Sequence, residues 1–193
     1  MPRKSNLDIL LNTKPKTTTF TTTGGVSAYL TNDKKGIKVS SATIGIVQDL
    51  DIKDAYHMGA VMAPACADTI YRHLSNTKTS VNDYDLILSG DLGIYGKDIL
   101  REYMKTEYGI SLNNYDDTAT MIYDIDTQPV YAGGSGPACA PLVVYGYIFK
   151  KMKKKEIKKI LLVATGALMS TTMVNEKHTI PSIAHAISLE VID

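Results

Sequence analysis

Residues 138–149 read ACAPLVVYGYIF, twelve positions without a charged side chain. Apolar or small residues occupy every face of the helix this run would form, whereas a helix lying on one side of a sheet carries a polar stripe toward water. Ala138, Cys139, Ala140 and Gly146 permit close approach from several sides. The expectation is a helix sandwiched between two layers; the alternative is a helix covered by the polar segment 113–126. Upstream, Gly133-Gly134-Ser135-Gly136-Pro137 opens the run. Downstream, KKMKKKEIKK sets seven lysines against one glutamate, a local +6. ILLVATG (160–166) then reads as a branched strand suited to a central sheet position, and HTIPSIAHAISLEVI (178–192) as a final strand.

Moving outward, residues 1–16 read as a loose leader. TTTFTTT (17–23), VSAYLT (26–31) and IKVSSATIGIVQDL (37–50) are β-branched or aromatic runs separated by Gly24-Gly25 and the turn NDKKG (32–36), predicting a meander of about three strands. From Asp54 the period changes. Met58, Met62, Cys66, Thr69, Ile70 and Leu74 recur at helical steps, with Pro64 predicting irregular backbone over 58–64 and a clean helix over 65–73. DYDLILSG (83–90) predicts a short strand and residues 97–108 a helix closed by Gly109 in the left-handed region. Segment 113–126 carries no clear period. Strands alternating with helices make the fold class α/β.

A chain of 193 residues, 44% apolar and 21% charged, is long enough to bury a core and too apolar for wholesale disorder. Its 21 Lys and Arg against 20 Asp and Glu leave a formal net charge of +1, too little to gather nucleic acid through a global field. No stretch reaches 18 apolar residues, so no membrane span is expected, and the N-terminus lacks the apolar core of a signal peptide. Cys66 and Cys139 stand far apart without metal-ligand spacing, which fits a reduced, cytosolic setting.

Candidate chemistry is sparse. Gly133–Gly136 before a helix can cradle an anion, but no Lys-Ser/Thr follows as in a phosphate-binding loop; tight entry into a crowded helix is the favoured account of the glycines. Asp91, in SGDLG just past a strand end, is either a polar site group or the cap of the next helix, and spacing does not choose. His185 is expected to be packed within its strand. His57, His73 and His178 lack partners at metal spacing, and neither G-x-S-x-G nor H-E-x-x-H occurs. The lysine run is read as a solvated helix end, with an anionic membrane surface as the alternative.

The strings DAYHMGAVMAPACADTI (54–70), DYDLILSGDLG (83–93), VYAGGSGPACAP (130–141), LLVATGALMS (161–170) and IPSIAHAISLE (180–190), in this order, resemble the C-terminal half of the stage V sporulation protein AD family, thiolase-fold proteins of spore-forming Firmicutes. The resemblance covers roughly residues 17–191. It implies a thiolase-like α/β half, a mixed sheet with layered helices, from a fold that stacks two halves and buries a helix of each between two sheets. Residues 138–149 would be that helix, and 17–31 the last hairpin of the N-terminal half.

The resemblance implies that the superfamily's nucleophilic cysteine belongs to the N-terminal half, and neither Cys66 nor Cys139 is expected to stand in its context. Asp91 lies near the family position for a catalytic His or Asn, and an anionic carboxylate cannot donate to a thioester oxyanion. No catalytic residue and no metal site is therefore expected. The resemblance implies binding of dipicolinic acid, free or as its Ca²⁺ complex, and an accessory part in its uptake into the developing spore. Asp91, Leu92, Gly134, Ser135, Thr165 and Gly166 would form the C-terminal wall of the pocket. Implied partners are membrane proteins of the same operon and either an N-terminal half chain or a second copy; the setting is cytoplasmic, or peripheral at the forespore or spore inner membrane. Two other functions stay open: an acyl-transfer subunit completed by a chain that brings the cysteine, and a ligand-free scaffold.

Overall fold

The computed structural model describes residues 15–33 and 35–192; most of the expected leader lies outside them. Five strands form one mixed sheet: β2 (Gly36–Ile44), β3 (Leu86–Ser89), β4 (Tyr115–Asp117), β6 (Lys159–Ala167) and β7 (Ser182–Ile192), in the order β2-β7-β6-β3-β4. β2, β7 and β6 pair antiparallel, and β6, β3 and β4 pair parallel. Two short strands, β1 (Phe20–Thr21) and β5 (Gly134–Ser135), pair parallel as a separate ribbon. A mixed sheet with helices on both faces is the α/β class that the sequence predicts.

Alternation along the strands divides the core in two. Ile87, Leu161, Val163, Ala184 and Ala186 face α1 (Met58–Thr77) and α2 (Gly93–Tyr108), joining Ile70, Leu100 and Met104 in the larger cluster. Leu88, Ile160 and Leu189 face the opposite way. Each fully buried aliphatic side chain contributes about 1.5–3 kcal/mol. The two helices of the larger cluster touch through Gly59 and Gly96, where a Cβ on Gly96 would stand 2.6 Å from the Gly59 Cα. α2 ends on Gly109 at φ 67, as predicted.

On the opposite face, α4 (Cys139–Val143), one π-helical turn (Val144–Ile148) and α5 (Phe149–Lys153) run end to end as a composite helix. Its inner side, Val143, Val144, Ile148 and Met152, packs on the sheet. Among the described residues no second layer meets its outer side: Gly146 is exposed, Tyr145 is 39% and Tyr147 48% exposed. Met121 and Ile122, from α3 (Thr118–Met121) and its end, flank the same cluster, so segment 113–126 covers part of the helix. The sandwich expected from the sequence is thus half built within this chain.

Three expectations differ from the structure. α1 runs unbroken through Pro64; burial of the whole run Val61–Ala67 outweighs the roughly 3 kcal/mol that an interior proline costs. The first two strands of the meander are absent apart from Phe20–Thr21, and the hairpin placed at 17–31 does not form. Residues 23–33 are exposed coil, with Tyr29 91% exposed, because a two-stranded ribbon without an apolar face to cover is marginal in water. His185 is exposed. It lies on the composite-helix face beyond the reach of that helix, between Ile44 and Ala164 of the adjoining strands, and its Nδ1 accepts from the Gly45 N–H at 3.2 Å.

His73, by contrast, is fully buried on α1. Its Nδ1 lies 2.8 Å from the Thr43 hydroxyl and its Nε2 2.8 Å from that of Ser188, which continues to Tyr84 at 3.1 Å. Burial, with Lys159 nearby, lowers its pKa, so a neutral imidazole ties the edge strand β2 to the helix layer.

Candidate functional site

The parallel strands β3 and β4 end level with Val163 of β6, which runs on to Ala167, and the loops beyond such strand ends are where α/β folds place their sites. β3 closes on Ser89 and Gly90; Asp91 then takes φ 63 and Gly93 φ 70 to swing the chain into α2. Asp117, the last residue of β4, is completely buried and secures this turn. It accepts from the Ser89 hydroxyl at 2.6 Å and from the N–H groups of Leu92, Gly93 and Ala119 at 3.2, 3.0 and 3.0 Å. One carboxylate thereby joins the end of β3 to the starts of α2 and α3. Burial pushes its pKa up to about 6 against the pull of those four donors. The proton of Ser89 is spent on Asp117, so the Tyr115 hydroxyl, 2.7 Å away, donates to Ser89.

Asp91 is held differently. Its Oδ2 accepts from the Gly136 N–H at 2.9 Å, bringing the glycine loop against the end of β3. Its Oδ1 is buried with no hydrogen-bond partner among the described residues. Burial, and then the charge of Asp117, push its pKa up to about 7, opposed by the Gly136 N–H and the neighbouring Cys139 thiol. Cys139 is itself buried, and its thiol is pushed up to about 12 by burial and the Asp91 charge. Cys66 lies in the larger core, its pKa raised well above the ordinary thiol value by burial. Both cysteines are therefore thiols at neutral pH, without the thiolate that nucleophilic attack requires.

Asp91 lines a cavity of about 210 Å³. Gly90 and Thr165 form one side, with the Thr165 hydroxyl donating to the Gly90 carbonyl. Pro137, Ala140 and Val144 of the glycine loop and composite helix supply an apolar wall, Leu162 and Ala164 of β6 the floor, and Tyr145 the rim. At about 30 Å³ per water this space equals roughly seven waters, room for one small ring.

Of the six residues expected in the ligand pocket, Asp91 and Thr165 line this cavity. Leu92 points into the larger core and its N–H is committed to Asp117. Gly134 sits in β5 against Thr22, Ile122 and Cys139. Ser135 opens onto a different hollow, lined by Thr17–Thr19 and Tyr56. Gly166 follows Thr165 along β6, outside the cavity lining. Gly136 is the loop residue that reaches the cavity, and its N–H is spent on Asp91. The sequence pattern points to neither Asp117 nor Ala140, while Gly136 belongs to the 133–136 cradle that it singles out. Among the described residues no three His, Cys, Asp or Glu side chains gather as a metal site, and no helix is long and apolar enough to cross a membrane.

A family model described as "Stage V sporulation protein AD (SpoVAD)" matches residues 10–190. The chain belongs to this family. The family's curated stage V sporulation protein AD of Bacillus subtilis (strain 168) is 43% identical over 177 residues, which is 92% of this chain and 52% of that protein. The chain thus spans about half the length of its curated relative. Two solved structures are also similar: 3-oxoacyl-[acyl-carrier-protein] synthase III from Aquifex aeolicus VF5 (TM-score 0.43, 11% identity, 83% of this chain and 46% of that one), and the Bacillus anthracis acetyl-CoA acetyltransferase (TM-score 0.40, 15% identity, 81% of this chain and 30% of that one).

Proposed function

We propose that this sporulation-family protein is a non-catalytic binding module whose cavity takes dipicolinic acid, free or as its Ca²⁺ complex, as an accessory to its uptake into the developing spore. The cavity at the ends of β3 and β6 carries the reading. It offers apolar walls for a planar ring and a single carboxyl, that of Asp91, raised toward neutrality. The two cysteines support binding over acyl transfer, because both are held as thiols away from water. Membrane proteins of the same operon would be the partners that move the ligand, with this chain peripheral to them.

Thermal unfolding with and without millimolar dipicolinate tests the proposal. Ligand at ten times its Kd stabilises by about 1.4 kcal/mol, a rise in Tm of about 3–6 °C for a chain of this size. Ala164→Phe, at an exposed position on the cavity floor, should abolish that rise without lowering the ligand-free Tm. A Tm indifferent to dipicolinate overturns the reading, and so does a radiolabelled acyl group retained on the chain after incubation with acyl-CoA.

A further inference from the structure

Two carboxyls stand at the cavity end of the sheet in unlike circumstances. Asp117 receives four donors, two on each oxygen, and a proton on either oxygen would displace one of them. Its charge is matched where it lies. Asp91 receives one backbone donor, on Oδ2, and its Oδ1 is shut away from water without a partner. Two carboxyls close enough to repel, one fully solvated by the protein and the other not, cannot both be charged at little cost. The proton falls to Asp91, on Oδ1, since Oδ2 already accepts from Gly136.

The surroundings bring nothing to reverse this. The groups acting on Asp91 are Asp117 from β4, the Gly136 N–H, and from α4 the Cys139 thiol, and no cation is among them. From β6 the Thr165 hydroxyl is taken by Gly90, and Tyr145 faces the cavity from the π turn. An ionised Asp91 would therefore put an uncompensated negative charge on the wall against an incoming carboxylate, whereas a protonated one leaves the wall neutral.

We propose that the cavity admits dipicolinate in its metal-free, doubly ionised form only when Asp91 is protonated, so that binding draws a proton from solution. The inference rests on the functional reading above and adds its pH control. The Ca²⁺ complex would demand the reverse: a cation at the wall favours ionised Asp91, so a proton is released and binding tightens as pH rises.

Isothermal titration of the full chain with dipicolinate and EDTA, in buffers of different ionisation enthalpy, counts the protons directly. Asp91 titrates at about 7, so close to half a proton should be taken up at pH 7 and nearly one at pH 8. Affinity should be about tenfold weaker at pH 8 than at pH 6, the fraction of binding-competent protein falling from near one to about one-eleventh. Asp91→Asn tolerates the left-handed backbone and cannot ionise, so its affinity should be level across that range with no proton exchanged. Should the variant fail to fold, the proton count on the unaltered chain still decides. Binding with level affinity and no proton uptake overturns the inference alone, as does proton release in a parallel titration without EDTA in which only the Ca²⁺ complex binds. Absence of binding at every pH, with and without Ca²⁺, overturns the functional reading and the inference with it.

Discussion

Replacing Gly96 with alanine sets helix propensity against packing. In the interior of α2, alanine is favoured over glycine by about 0.8–1.0 kcal/mol, so the sequence alone predicts a stabilised protein. The structure predicts the opposite. A Cβ on Gly96 would stand 2.6 Å from the Gly59 Cα, 2.9 Å from the Leu92 Cβ and 3.0 Å from the Gly59 carbonyl carbon, whereas ordinary contact begins at 3.4 Å. Two of those three atoms are backbone, so α1 and α2 must separate by most of an ångström. Overpacking costs typically 1–3 kcal/mol, and a clash with a neighbouring backbone belongs at the upper end. The net loss should be about 2 kcal/mol, a fall in Tm of about 4–8 °C. Gly146→Ala is the control: that glycine lies in the composite helix with nothing within 4 Å of a Cβ, and should gain about 0.5–1 kcal/mol. Urea unfolding of the three proteins, with equal m-values, gives the comparison. A midpoint for Gly96→Ala at or above that of the unaltered chain would refute the close approach of the helices.

Stability should also depend on pH in a particular sense. Asp91 and Asp117 have folded pKa values above those of the unfolded chain, so their contribution is fully present below about pH 4 and is lost progressively up to about pH 7. Asp91 alone, pushed up to about 7, accounts for up to about 4 kcal/mol. Asp91→Asn should flatten the decline measured by urea unfolding between pH 5 and 8; an unchanged slope would contradict the burial argument. His73 acts oppositely: its lowered folded pKa gives stability that is present above about pH 6.5 and lost as pH falls below it. His73→Leu strands the hydroxyl of Thr43, while Ser188 keeps Tyr84, and should cost about 1–3 kcal/mol at pH 7.5 for the one unsatisfied group. Both thiols should resist iodoacetamide in the native protein and react only on unfolding; modification of Cys139 within minutes under native conditions would show that it is neither buried nor protonated. The exposed outer side of the composite helix should hold two copies together in light scattering, with Tyr147→Glu giving the monomer; a monodisperse unaltered monomer would show that this side needs no cover.

The elements legible in the sequence are those whose cause is local. ILLVATG is a strand because its branched side chains suit a buried sheet position, and Gly109 ends α2 because the closing residue must take a left-handed backbone. The alternation of Ile87 and Leu88 is equally visible, but which face each serves depends on helices far along the chain. Propensity marks Pro64 as a break because it is a property of the helix alone, while the burial that overrides it belongs to the sheet beneath. In the candidate site Asp91 was legible from its place after a strand. Asp117 was not, since YDDTAT has no period and three of its four donors, Ser89, Leu92 and Gly93, lie in a distant segment. Gly134 and Ser135 enter through the family resemblance, and only the chain path shows that it is the Gly136 N–H that turns toward Asp91.

The π-helical turn at Val144–Ile148 bears on how this part of the chain can change length. Such a turn holds one residue more than an α-helix of the same rise, and here the surplus bulges outward at Tyr145, Gly146 and Tyr147 while Val144 and Ile148 stay on the sheet. A deletion of one outward residue would leave the inner residues three apart, still on one side of a regular helix. Insertions and deletions that would turn any other buried helix of this protein inside out can be absorbed at this one turn, on the wall of the cavity itself.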